Sequence, residues 1–242
     1  MHRTRIRLHS SHVAYGLITL CIALIIFLSQ YVEQPSPKDY VLAFIPVLTT
    51  FLGATLAFRL NESAAETKEE ERRFLALNEA LFVLVRQHNA IEQIKRDFDR
   101  FDDDHKRAFV LPAFKPPSYA DLRIKVEDLG FLLLEERPQL LLEITVEQER
   151  FEQILEGLTL RNRHYVEQVQ PAMAAAGLMD KAVSLRELEG KLAVPIYKGA
   201  LQAATNVYEH LQASSKNLFN AHAELIALGR KLFPGRKFVS YE

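Results

Sequence analysis

Two stretches near the start of the chain carry no charged residue, and nearly everything after them repeats apolar positions at three- and four-residue steps. Residues 13–32 form the first stretch, centred on Leu20-Cys21-Ile22-Ala23-Leu24-Ile25-Ile26-Phe27-Leu28. As a helix rising about 1.5 Å per residue it would reach roughly 30 Å, the thickness of a hydrocarbon core. Residues 40–58 form the second, after the polar turn Glu33-Gln34-Pro35-Ser36-Pro37-Lys38-Asp39. Tyr15, Tyr31 and Tyr40 lie near the expected ends, where amphipathic rings favour the headgroup level. A cleaved leader fits less well, since no small-x-small site follows Leu28-Ser29-Gln30-Tyr31 and a second apolar run comes directly after. The pattern predicts a two-helix transmembrane hairpin over 13–60 behind a basic tail, 1–12.

Beyond the hairpin the period is helical. Phe74, Leu77, Leu81, Leu84, His88, Ile91, Phe98 and Phe101 mark one apolar stripe on a long charged helix over 64–104. His88 on that stripe reads as a core-edge histidine. Pro112, Pro116 and Pro117 make 105–118 a loop. A helix is then expected from Ser118 or Tyr119 through Leu122, Val126, Leu129 and Leu133. Another starts at Pro138, which suits a first helical turn, and runs to about Gln170. Pro171 and Gly177 define a connector, and a last helix covers 182–231 with a break near Gly190 and Pro195. The expected fold is all-α: the hairpin joined to an antiparallel helical bundle or coiled coil over 61–242. The first bundle helix would continue the second span directly, which suggests a mechanical link between them.

Charge sets the direction of the hairpin. Arg3, Arg5 and Arg7 precede the first span, and Arg59, Lys68, Arg72 and Arg73 follow the second, while the intervening loop has only Lys38. Basic residues stay on the cytoplasmic side, which predicts a multi-pass bacterial inner-membrane protein with both termini cytoplasmic. Neither span contains Asp, Glu, Lys, Arg or His, against proton relays and voltage sensors. Thr49, Gly53 and Ala57 fall at fourth positions, a small-residue stripe for close packing within the chain or between copies. Pro46, one turn earlier, removes a hydrogen bond to Leu42 and marks an expected kink.

Chemistry is sparse. Net charge is −1, Cys21 is the only cysteine, and no phosphate-binding glycine loop, HExxH or GxSxG occurs. The expectation is a non-enzyme without cofactor. Asp102-Asp103-Asp104-His105 is the densest ligand-like cluster, although successive helical residues point apart and the run fits a helix boundary. Arg161 and Arg163 lie in a short basic run that would suit a phosphate. Arg230, Lys231, Arg236 and Lys237, interleaved with Phe233 and Phe238, would suit anionic lipid or nucleic acid; a helix C-terminus also favours such cations.

The segment Phe51-Leu52-Gly53-Ala54-Thr55-Leu56-Ala57-Phe58-Arg59-Leu60, continuing into a charged helix, resembles two-span effector proteins of bacterial anti-phage defence systems, including those of retrons. The resemblance covers the layout and that segment. It implies an abortive-infection effector that damages or depolarises the inner membrane. Membrane lipid and further copies of itself would be partners, and a reverse transcriptase with its RNA–DNA hybrid molecule would hold it silent. The alternative is a membrane-anchored helical scaffold or signalling adaptor without toxicity.

Overall fold

The computed structural model describes residues 19, 22, 23, 26, 30, 36–115, 122–179 and 183–241. The described residues are helical or irregular, with no strand among them, and the all-α expectation holds. The chain divides into two units, Met1–Glu69 and Glu70–Glu242.

Unit one covers the whole of the predicted hairpin, 13–60. The second predicted span falls in the first third of α1, a helix over Pro37–Asp99 that crosses from one unit into the next. Among the described residues no helix is long and apolar enough to cross a membrane. That overturns the transmembrane hairpin as far as these residues reach, and with it the multi-pass inner-membrane placement with both termini cytoplasmic. Pro46, Thr49, Thr50, Gly53 and Thr55 dilute the apolar run. The helix then runs on through Arg59, Glu62 and Glu66 instead of ending at an interface. Of the first predicted span, Thr19, Ile22, Ala23, Ile26 and Gln30 are helical; its other residues, and the basic tail, lie outside the described residues. Pro46, the expected kink position, lies inside this helix. The hydroxyls of Thr49 and Thr50 donate back to the Pro46 carbonyl at 3.0 and 2.8 Å, and Thr49 also to Ile45 at 2.6 Å.

Unit two is a bundle. Its framework is α1 from Glu70 onward, α4 over Pro138–His164 and α7 over Val194–Leu232. The stripe read from the sequence is the core: Leu77, Leu81, Leu84, Ile91 and Phe98 are fully buried, against Ile144, Phe151, Leu158, Leu211 and Leu218. α4 and α7 run antiparallel, as Asn217 meets Glu147 while Gly199 meets His164. A short helix α2, Asp104–Phe109, packs on α7.

One predicted helix is not formed. Residues 122–125 are irregular, and only a 3-10 turn, Val126–Leu129, and the short α3, Phe131–Leu134, follow. Leu122 and Ile124 are buried while Arg123 and Lys125 are exposed, a period of two rather than 3.6. Gln87 donates to the Leu122 carbonyl at 2.8 Å, and Gln148 accepts from the Ile124 amide at 3.0 Å. These two glutamines, bonded to each other at 2.8 Å, supply partners that a helix would have supplied itself. The predicted start of this helix lies outside the described residues.

At the far end Pro171 does not stop the chain. A π-helical turn over Tyr165–Val169 shifts the register, and α5, Gln170–Ala175, takes Pro171 in its first turn. The predicted break before α7 is present: α6, Leu185–Lys191, opens on a Ser184–Glu187 capping box and ends where Leu192 turns extended, and Pro195 opens α7.

Candidate interaction site

The basic, aromatic C-terminal segment is not a free tail. After α7 the chain turns at Gly235, whose φ of 83° suits glycine, and residues 233–241 fold back as a strap on α1 and α7. Phe233 and Phe238 meet Phe74 edge-on at 5.7 and 5.6 Å between ring centres. Arg236 lies 4.6 Å over the same Phe74 ring and pairs with Glu71 at 2.5 Å. The Val239 amide donates to Asn78 at 3.0 Å, and its carbonyl lies 3.2 Å from His222 Nε2. Gly229 makes the close approach possible: a Cβ there would sit 2.9 Å from the Phe238 ring and 3.1 Å from Leu77.

Tyr241 closes the strap inside an aromatic nest, 4.4 Å from His222, 5.1 Å from His88 and 5.6 Å from Phe219 between ring centres. The His88 Nδ1 and Tyr241 hydroxyl are both buried without a hydrogen-bond partner. Burial lowers the His88 pKa, against a smaller upward pull from Glu92. Burial also lowers that of His222, with the Val239 carbonyl pulling upward and His88 adding to the fall. The Tyr241 hydroxyl is pushed up by burial. Sequence reading missed His222 and Tyr241 as a pair with His88, because 134 residues separate the two histidines and only the packing of α1, α7 and the strap brings them together.

The predicted basic contact residues separate into three environments. Arg161 is 2% exposed. Its guanidinium donates to the carbonyls of Pro112 at 3.1 Å, Arg107 at 2.8 Å and Leu111, and it lies 4.9 Å over the Tyr165 ring. Burial pushes its pKa down to about 10, still far above neutrality, so the cation is kept. It ties the 107–112 segment to α4 and is closed to an external partner. Arg163 is exposed at that end of the bundle; Arg230, Lys231 and Lys237 are exposed at the other. Since α4 and α7 are antiparallel, Arg163 sits near Gly199, about 45 Å along α7 from Arg230 at 1.5 Å per residue. The structure does not bring them into one site.

The acidic cluster is a helix boundary. Asp103 caps α2 by accepting from the Lys106 amide at 2.8 Å, Asp102 pairs with Lys106, and Asp104 with Arg107. His105 meets the Tyr197 hydroxyl at 3.1 Å. Among the described residues, no three His, Cys, Asp or Glu side chains converge to hold a metal.

In unit one, Thr49, Gly53 and Ala57 are exposed, and a Cβ on Gly53 would meet nothing within 4 Å. Beside them Leu48, Leu52, Leu56 and Leu60, also four apart, are 44 to 64% exposed. Comparison of the chain with protein-family models, with curated proteins and with solved structures finds no match.

Proposed function

We propose that this chain works by association, as a helical effector or adaptor that assembles through the first third of α1 and presents its bundle to a partner. The observation that carries this reading is a pair of matched rows on one exposed helix. Leu48, Leu52, Leu56 and Leu60 form a ridge, and Thr49, Gly53 and Ala57 form the groove next to it. Rows four residues apart on two helices interdigitate, and a two-fold axis would let each copy offer its ridge to the other's groove. The polar groups in the path need no outside partner, since the Thr49, Thr50 and Thr55 hydroxyls already donate to their own helix. A row of leucines left in water is the kind of apolar patch that soluble monomers avoid.

The defence-effector form of this reading rests on the layout around Phe51–Leu60. It adds that the assembled form is harmful and that a reverse transcriptase with its RNA–DNA hybrid holds it silent.

Sedimentation of the purified full chain tests the assembly. A concentration-dependent oligomer is expected, weakened about tenfold or more by Gly53→Leu, which overfills the groove. A chain that stays monomeric, or an oligomer indifferent to Gly53→Leu, removes the reading. Expression without partners separates the two forms: growth arrest that Gly53→Leu relieves supports an effector, and normal growth supports an adaptor.

A further inference from the structure

The seat beneath the C-terminal strap grips backbone as well as side chains. Asn78 on α1 uses both ends of its amide: Oδ1 accepts from the Val239 amide at 3.0 Å, and Nδ2 donates to the Lys237 carbonyl at 3.5 Å. From α7, His222 Nε2 meets the Val239 carbonyl at 3.2 Å. These are main-chain groups of alternate residues, and every residue but proline offers them. Side-chain recognition is concentrated in three anchors. Arg236 pairs with Glu71 over the Phe74 ring, Phe238 fits against Phe74 and Gly229, and Tyr241 enters between His88, His222 and Phe219. Lys237 and Ser240, between the anchors, are exposed. The last anchor fits incompletely, since the Tyr241 hydroxyl and His88 Nδ1 are buried with no hydrogen-bond partner. Such atoms cost stability, so the strap is held less firmly than its ring contacts alone would hold it.

We propose that this seat is a docking groove for an extended peptide of a partner protein, with the pattern arginine-x-aromatic-x-x-aromatic, and that the strap is its resident stand-in. Main-chain bonds give affinity for any extended segment, and the spacing of the anchors gives choice. Glu71 selects the cation, and the bare backbone at Gly229 leaves room for the first ring. A phenylalanine at the last anchor removes the unpartnered hydroxyl and fits better than the tyrosine of the strap. The strap is tethered to α7 through Gly235, which gives it an effective concentration on the order of millimolar. A partner therefore enters by binding better than the strap does. The proposal deepens the adaptor reading and rests on it only for the existence of a partner; it does not depend on association through the first third of α1.

Fluorescence-anisotropy titration of the full chain with a labelled synthetic peptide of residues 234–241 tests the proposal. Saturable binding is expected to full-length Phe238→Ser, whose own strap is loosened. Binding to the unaltered chain, whose strap competes, should be weaker by about tenfold or more. Carrying Tyr241→Phe, the peptide should bind several-fold tighter. Adding Glu71→Arg, at a half-exposed position, should lower affinity by about tenfold and regain it with a peptide carrying Arg236→Glu, a rescue that misfolding cannot mimic. No saturation at millimolar peptide, equal binding of a scrambled peptide, or equal affinity for the unaltered and Phe238→Ser chains would each overturn the proposal. So would a dimer in sedimentation that Phe238→Ser dissolves and the peptide does not, which would give the seat to a second copy's strap. The titration is repeated on Gly53→Leu: binding kept there while the oligomer is lost separates this proposal from the association reading.

Discussion

Residue by residue, this chain places charge where composition alone points outward. Arg161 reads in sequence as a surface cation; in the fold it is the partner of three backbone carbonyls, that of Arg107 in the last turn of α2 and those of Leu111 and Pro112 beyond it. Arg161→Met keeps the aliphatic volume and strips those acceptors, so stability should fall by about 3 kcal/mol or more. Urea unfolding of unit two checks this, and Arg161→Lys should recover only part of the loss because one ammonium cannot reach three separated oxygens in a fork. Nothing in the run Arg161-Asn162-Arg163-His164 distinguishes the buried arginine from the exposed one except the apolar period: Leu158 and Tyr165 are core positions, and Arg161 falls between them on the same face. The signal was present, and the charge masked it. Turn chemistry was only half legible. The Leu178 amide bonds to Met173 and Gly177 takes the left-handed position, an ordinary helix stop. The same bond pattern closes α3, from the Arg137 amide to Leu132, yet Glu136 holds the left-handed place at φ 58° where glycine is usual. No composition rule predicts a stop there.

At the scale of elements, long amphipathic helices were readable and everything held by side-chain to backbone bonds was not. Apolar spacing placed the α1 core stripe, and proline and glycine placed the start of α4 at Pro138 and the break before α7. Spacing misassigned 122–129, because apolar residues at four- and three-residue steps, Leu122, Val126 and Leu129, also occur when an irregular segment buries Leu122 and Ile124 in alternation. The strap shows the same limit: its phenylalanines and arginine fit an outside surface in sequence, and they fit Phe74 and Glu71 in the fold. Its closure should depend on pH. His88 and His222 have lowered pKa values when the strap is shut, and Glu92 on α1 is the carboxylate that acts on His88. With the strap open both rings regain solvent and their ordinary value near 6.5, so the open form binds more protons as pH falls below that point. Above it both forms leave the rings neutral and closure is insensitive to pH. Acidification should therefore release residues 233–241 by at most about tenfold per histidine per pH unit. Cleavage by protease after Lys237, followed between pH 7.5 and 5.5, reads this out. Tyr241→Phe, which removes an unsatisfied buried hydroxyl, should slow cleavage at every pH, and Gly229→Leu should leave the strap open throughout.

For the molecule as a whole, the division at Glu69 and Glu70 separates two kinds of surface along one continuous helix. Before it, α1 presents leucines to its surroundings; after it, the same helix buries a full stripe against α4 and α7. Hydropathy registered the first as a span because apolar content alone does not say what covers it, and periodicity registered the second correctly because a stripe implies a partner. The cations of unit two follow from helix direction in a similar way. Arg230 and Lys231 stand in the last turn of α7, where the helix dipole favours positive charge, and Lys237 stands close by on the strap. Arg163 stands in the last turn of α4, which the antiparallel arrangement sends to the opposite end. A nucleic acid laid along the bundle would therefore meet three cations at one end and Arg163 at the other, and a short strand would reach only one end. Binding of a short single-stranded oligonucleotide should show a shallow salt dependence, with a slope of no more than about three released counterions. Neutralising Arg230, Lys231 and Lys237 together should remove most of that slope, while Arg163→Ser should leave it nearly intact. A steep slope lost with Arg163 alone would mean that the two ends act on one strand, and the strap end would then not be the contact surface.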